Sequence, residues 1–367
     1  MNIQPIIGLM SGTSIDGINA TLVYTNGKKI TRTKFKSITP YKETTYDLLQ
    51  KAISHPIEFI SKTNDYNYLS NLITYEHATA VKDLINLSRV KPYLVGFHGQ
   101  TIFHNPDRKK SYQLGNGKLL SKLLKASVIY NFRSSDLEFG GEGAPIAPVY
   151  HQTILENLQI ELPAIMVNIG GITNLTYWDG NEIFGFDTGP GNNLMDYFVQ
   201  KTFNLKFDNQ GSLASKGKIH SELITQYIKA SYFSKPPPKS LERKNLFENK
   251  YLKHIYQLSS YDSLATLSAL TTKTLEIGIQ FLPKKPKNTI IIGGGQKNKY
   301  LVQLIKKTNL SPNILTGEEI GLNSDYIEAE LIAFLAARKY NKLPSTFPST
   351  TGVKEETILG SLIKYTG

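Results

Sequence analysis

Apolar residues along this chain alternate between two patterns: short runs that stop at glycine and hydroxyl residues, and longer stretches with apolar positions three or four apart. The first run, Ile3 to Met10, is broken by Gln4 and Pro5 and halts at Ser11-Gly12-Thr13-Ser14-Ile15-Asp16-Gly17. It resumes as an alternating strand from Ile18 to Tyr24, and Lys29 to Ile38 alternates as a third. Helices are predicted over Thr44 to Ser54 and near Ser61 to Ser88, the latter with Leu69, Leu72, Ile73, Val81, Leu84 and Ile85 on one face. Tyr93 to Gly96 reads as a buried strand running into His98-Gly99-Gln100-Thr101. A short helix from Lys118 to Lys125 then precedes a strand from Ser127 to Phe132.

The same arrangement recurs further on. A glycine-dense segment from Arg133 to Pro145 reads as a crossover between domains. Ala164 to Ile169 and Thr173 to Trp178 are strands around a Gly170-Gly171 turn, and Phe184 to Phe186 leads into Asp187-Thr188-Gly189-Pro190-Gly191-Asn192 and a helix from Leu194 to Thr202. Lys235-Pro236-Pro237-Pro238-Lys239-Ser240 reads as a stiff surface segment. Tyr261 to Phe281 is helical, Thr289 to Ile292 is a strand meeting Gly293-Gly294-Gly295, a helix follows from Tyr300, and the last helix spans Asp325 to Tyr340. Two halves of this kind predict a duplicated α/β architecture.

The glycine turns are where chemistry is expected. Gly12 and Gly17 open backbone angles closed to other residues, and Ser11, Thr13 and Ser14 add hydroxyl donors; such a nest suits phosphate oxygens, and Asp16 suits a metal held through water. The same residues also make an ordinary hairpin turn, so the pattern alone leaves both readings open. It contains neither Gly-Lys-Ser/Thr nor Gly-x-Gly-x-x-Gly, which removes P-loop NTPases and Rossmann dehydrogenases. Asp187 at a strand end is placed either as an exposed base or as an aspartate satisfying its own turn amides. Asp325-x-x-Glu328 has capping-box spacing, and His98 reads as a core imidazole.

Composition narrows the class further. The chain has 367 residues, enough for two cores, and a net charge of +12 from 42 Lys and Arg against 30 Asp and Glu. The lysines are scattered without interleaved aromatics, so no nucleic-acid partner is expected. Absence of cysteine removes disulfides, thiolate nucleophiles and Cys-bound metals. Neither a secretory signal nor a run of 18 apolar residues is visible, so no membrane association and a cytoplasmic location are expected.

Taken in order, Gly8-Leu9-Met10-Ser11-Gly12-Thr13-Ser14-x-Asp16-Gly17, His98-Gly99-Gln100-Thr101, Gly140-Gly141-x-Gly143-Ala144-Pro145, Asn168-Ile169-Gly170-Gly171-Ile172-Thr173-Asn174, Asp187-Thr188-Gly189-Pro190-Gly191-Asn192 and Gly293-Gly294-Gly295 resemble the anhydro-N-acetylmuramic acid kinase family, within the sugar kinase/Hsp70/actin superfamily. The likeness runs from about Gly8 to at least Arg338. It implies two actin-like (ribonuclease H-like) α/β domains with an ATP and substrate cleft between them, placed here at 1–135 plus 341–367 and at 136–340. It implies an amino-sugar substrate, ATP and Mg²⁺, a homodimer, and a role in peptidoglycan recycling. In that family 1,6-anhydro-N-acetylmuramic acid is opened by water and phosphorylated at O6.

Residue by residue, the resemblance makes Asp187 the base. Gly12, Thr13, Ser14, Ile15, Asp16, Gly17, Ile18 and Asn19 become the phosphate cradle, with Gly170, Gly171 and Gly293 to Gly295 beside the nucleotide and Asp16 near the metal. Gln100 and Thr101 are candidates for sugar hydroxyls, Arg133 for the lactyl carboxylate or a phosphate, and Glu328 for the sugar. Two departures stand out. Asn19 occupies a position where the family usually has Asp, and Leu241-Glu242-Arg243 follows Ser240 where Thr-Gly-Arg-Glu is usual. The competing classes are a plain hexose kinase, which phosphorylates an open sugar without consuming water, and a non-catalytic actin- or Hsp70-like ATPase.

Overall fold

A computed structural model describes residues 1–12, 15, 17–106 and 108–366, with only the backbone of Arg243 and Lys244. The chain divides into two compact units, Met1–Thr153 with the segment from Asp325 onward, and Ile154–Ser324.

In the first unit β1 (Gln4–Ser11) pairs antiparallel with β2 (Ile18–Thr25), and β2 with β3 (Ile30–Thr39). On its other edge β1 runs parallel to β4 (Leu94–Asn105), against which β5 (Lys110–Leu114) folds as a hairpin and β6 (Val128–Tyr130) lies parallel. In the second unit β7 (Ala164–Ile169), β8 (Ile172–Trp178) and β9 (Ile183–Pro190) form the antiparallel set, while β10 (Asn288–Ile292) and β11 (Asn313–Thr316) extend β7 in parallel. The spatial orders β3-β2-β1-β4-β6 and β9-β8-β7-β10-β11 carry the same strand senses. The duplication is therefore one of topology, and the order is that of a ribonuclease H-like unit. β12 (Ser361–Ile363) returns to pair with β6.

Alternation along the strands builds each core. Ile7, Leu9, Ile18, Leu22 and Val95 meet Leu69, Ile73, Val81 and Leu84 of the helix Thr63–Ser88, all of them buried. In the second unit Val167, Leu175, Phe186 and Ile291 meet Leu264, Leu267 and Leu275 of the helix Ser260–Ile279. Removing this apolar surface from water drives each unit together.

The helix Ser324–Tyr340 lies directly on the first sheet because two glycines leave it room. Gly8 and Gly96 are register partners on β1 and β4. A Cβ on Gly8 would sit 1.9 Å from the Ala329 carbonyl oxygen, and one on Gly96 would sit 2.5 Å from that of Ile332.

Sequence reasoning put this helix in the second domain, and the structure corrects that boundary: the first unit runs to Thr153 and resumes at Asp325. The glycine-dense segment after Arg133 is likewise anchored within the first unit. It begins with a helix, Phe132–Glu138, whose buried Asp136 accepts hydrogen bonds from Gly143 N (2.8 Å), Thr346 Oγ1 (2.7 Å) and Thr351 Oγ1 (2.7 Å). The strands β5, β11 and β12 escaped prediction; two of them are only three or four residues long, too short for alternation to show.

Candidate active site

In the first unit the candidate residues gather at the carboxyl ends of the adjacent parallel strands β1 and β4, the end of an open α/β sheet where ligands bind. The chain leaves β1 at Gly12, and Ile15 N–H returns to Gly12 O at 3.1 Å. Gly17 has φ 146° and no room for a Cβ, which would lie 2.6 Å from Thr39 O, so glycine is required there by the fold itself. Ile15 and Ile18 are buried side chains of the core, which leaves only their backbone to serve a ligand. Thr13, Ser14 and Asp16 lie outside the described residues, and the phosphate and metal roles expected of them lie there too.

Gln100 has a structural job that its motif did not suggest. Its side chain is fully buried, with Oε1 accepting from Tyr41 OH (3.2 Å) and Nε2 donating to Gly12 O (2.9 Å) and Thr101 O (3.3 Å). The amide fixes the end of β1. Thr101 stays half-buried, its hydroxyl accepting from Gln113 Nε2 at 3.3 Å.

Arg133 is aimed by a neutral histidine. Its Nε donates to His98 Nε2 at 2.9 Å and its NH1 to Gly143 O at 3.0 Å. Since His98 Nε2 accepts, Nδ1 carries the ring proton and donates to Gly99 O at 2.9 Å. Burial, reinforced by the Arg133 charge, holds the His98 pKa down to about 3, so this tautomer persists at ordinary pH. His98 is the core imidazole expected from sequence, but the acceptor it presents to Arg133 had no sequence signal.

Asn19 on β2 donates from Nδ2 to Asp325 O at 2.6 Å. That bond ties the strand following the glycine loop to the start of the helix Ser324–Tyr340, on which Glu328 sits half-buried one turn further on.

In the second unit three turns meet at the carboxyl ends of β7 and β10. Gly191 N and Asn193 N donate to Gly171 O (3.0 and 3.1 Å), and Asn192 N donates to Gly170 O (2.8 Å). Gly293 has φ 81° and its Cβ would meet Asn168 Oδ1 at 2.3 Å; that of Gly295 would meet the Ile169 side chain at the same distance. The fold thus demands glycine at these two positions. It does not at Gly170 or Gly294, where φ is ordinary and a Cβ would find nothing nearer than 3.6 Å. Glycine without a local reason at two neighbouring turns is what a site needs for a flat ring or phosphate to lie against the backbone.

Asp187 lies within β9, three residues before that strand ends at Pro190 rather than at a strand end as the sequence suggested, and is itself buried. Its N–H donates to Lys239 O (3.1 Å), its carbonyl accepts from Tyr232 OH (2.7 Å), and its Oδ2 accepts from Leu241 N (2.8 Å). The Leu241 amide holds one carboxylate oxygen while two further bonds fix the Asp187 backbone, so the group keeps its direction, as a base needs. The segment after the prolines, which sequence left without a role, is therefore the clamp on Asp187.

Lys239 within that clamp is fully buried. Its Nζ lies 4.5 Å from the ring centre of Phe281, 4.9 Å from Tyr232 and 5.9 Å from Phe186, and donates to Tyr232 O at 3.2 Å. Burial lowers its pKa to about 8 with help from Lys235, against an upward pull from Asp187. The ring faces stabilise the cation that burial penalises.

Among the described residues no group of three or more His, Asp or Glu is placed to hold a metal ion, and no helix is long and apolar enough to cross a membrane.

Residues 4–365 match the family model described as anhydro-N-acetylmuramic acid kinase. Proteins of that name resemble the chain over nearly its whole length. The one from Bradyrhizobium diazoefficiens is 36% identical over 354 residues, covering 95% of each chain. The one from Zymomonas mobilis is 36% identical over 369 residues, covering 98% of this chain and 99% of its own.

Proposed function

The chain belongs to the anhydro-N-acetylmuramic acid kinase family, and on that premise we propose that Asp187 is the base of its reaction. The activity is that of the family: 1,6-anhydro-N-acetylmuramic acid, ATP and water give N-acetylmuramic acid 6-phosphate and ADP. The observation that carries the assignment of Asp187 is its clamp, a buried residue whose carboxylate accepts from Leu241 N and whose backbone N–H donates to Lys239 O.

The chemistry asks for such a group. Water forms a bond to the anomeric carbon, the bond from C1 to O6 breaks, and O6 takes the γ-phosphoryl as the bond to the departing ADP oxygen breaks. The proton released by water passes to Asp187, as to the base of an inverting glycosidase. No separate acid is needed, because the leaving oxygen is captured by phosphorus.

Within the second unit Gly170 and Gly294 provide the close approach for the nucleotide, supported by the room they leave without a fold reason. The backbone of Gly12 and Gly17 lies at the phosphates. Arg133, preset by His98, suits a carboxylate or phosphate through its planar fork, and Glu328 serves the sugar. Mg²⁺, when bound with the nucleotide, neutralises phosphate charge. Working on ATP, the enzyme belongs in the cytoplasm, and its product returns cell-wall sugar to metabolism.

Asn19 bears on metal use. Aspartate there restores a carboxylate but cannot donate to Asp325 O, the bond Asn19 makes at 2.6 Å. The Asn19→Asp variant is expected to reach half-maximal rate at lower Mg²⁺ while losing about 1 kcal/mol of stability. An unchanged Mg²⁺ titration would count against a metal role at this position.

Reaction in ¹⁸O-labelled water tests the reading. Label at the C1 hydroxyl of the 6-phosphate product is expected; a plain hexose kinase would phosphorylate an open sugar and leave C1 unlabelled.

A further inference from the structure

Asn174 stands directly opposite Asp187 across β8 and β9. Directly opposed residues of an antiparallel pair project their side chains to the same face. The next pair, Leu175 with Phe186, is wholly in the hydrophobic core, so Asn174 and Asp187 share the opposite face. The pairing slips just beyond them, with Thr173 opposite Gly189, which leaves Thr188 as an extra residue. Bulges of this kind re-aim side chains beside active sites.

The Asn174 amide oxygen is buried and has no hydrogen-bond partner among the described residues. A buried acceptor without a donor is costly and calls for an explanation. Asp187 presents acceptors on the same face, so a small ligand with two donors suits the pair.

We propose that Asn174 and Asp187 together hold the attacking water, each accepting one of its two O–H bonds. This rests on Asp187 being the base. With one hydrogen on the carboxylate and the other on the amide, both water protons are occupied and an oxygen lone pair is left to face the anomeric carbon. The division of labour follows from charge: the carboxylate takes the proton, while a neutral amide accepts a hydrogen bond without competing for it. The amide also leaves Asp187 free of the like-charge repulsion that a second carboxylate would impose. Two fixed points define the approach of a water molecule where one would let it swing, and misplacing a reactant by about 1 Å costs on the order of 100-fold in rate.

Two variants, measured beside Asp187→Asn, test this. In Asn174→Ala, kcat is expected to fall about 10- to 100-fold, with KM for the sugar and nucleotide affinity within about twofold of normal. In Asn174→Asp, the acceptor and side-chain shape remain but a second carboxylate faces Asp187, so the acidic limb of the kcat profile should move up by about one pH unit or more. Lys239 and Tyr232, ionisable groups that the described residues place at Asp187, are the same in both proteins. A merely structural Asn174 would not move that limb. Normal kcat in Asn174→Ala, or a loss confined to KM for the sugar, overturns the proposal. So does an unmoved acidic limb in Asn174→Asp, which carries the test by itself if the alanine variant does not fold. If Asp187→Asn is inactive while Asn174→Ala is normal, only this inference falls; if Asp187→Asn turns over normally, the base assignment falls with it.

Discussion

Replacing Asp187 by asparagine is expected to cut turnover by roughly 100- to 10,000-fold, the range that a positioned base supplies, while nucleotide affinity stays close to normal. Asparagine matches the carboxylate in shape and can still accept from Leu241 N, the bond Asp187 makes at 2.8 Å. The backbone bonds to Lys239 O and from Tyr232 OH do not involve the side chain at all. What the variant lacks is the ability to take a proton from water. Rate and affinity should therefore separate cleanly, and rapid-quench turnover beside nucleotide titration measures both. Near-normal turnover would remove Asp187 as the base; lost nucleotide affinity would mean that the substitution had disturbed the turns of the second unit.

Gly8→Ala is expected to have the largest effect on stability. Its methyl would lie 1.9 Å from Ala329 O and 2.7 Å from Ala333 N. Both are backbone atoms of the helix Ser324–Tyr340, so no side-chain rotation relieves the clash and the helix must lift from the sheet. Overpacking of this severity costs about 3 kcal/mol, and a unit of this size loses about 2–4 °C per kcal/mol. A fall in Tm of about 6–12 °C should follow. Activity should fall as well, because the same helix carries Glu328 and takes the hydrogen bond from Asn19. Gly170→Ala is the comparison, since its methyl finds nothing nearer than 3.6 Å; it should melt like the parent protein. An unshifted Tm in Gly8→Ala would show that the helix is not seated by that contact.

The fold was legible where local pattern and tertiary burial agree. The opening hairpin, the helix Thr63–Ser88, the β7–β8 pair and the helix Ser260–Ile279 all follow from the spacing of their apolar residues. The motifs also fixed the family, because long ordered strings of glycine, asparagine and aspartate are specific even where each string alone is ambiguous. The domain boundary was not legible. The helix Ser324–Tyr340 is apolar on much of its surface, with Ala329, Ala333, Ala336 and Ala337 all buried, and nothing in that pattern says which sheet it covers.

Sequence by itself determined the kind of protein this is: its strands and long helices, its duplicated plan and its reaction. Only the tertiary structure decided what individual polar residues do, because a hydrogen-bond partner far along the chain leaves no mark on local spacing. Gln100 carried no sign in the sequence of its bonds to Gly12 and Tyr41. Lys239 looked like surface charge after a run of prolines and lies buried under three rings behind Asp187. Asn174 was one letter of a motif until strand register set it opposite Asp187.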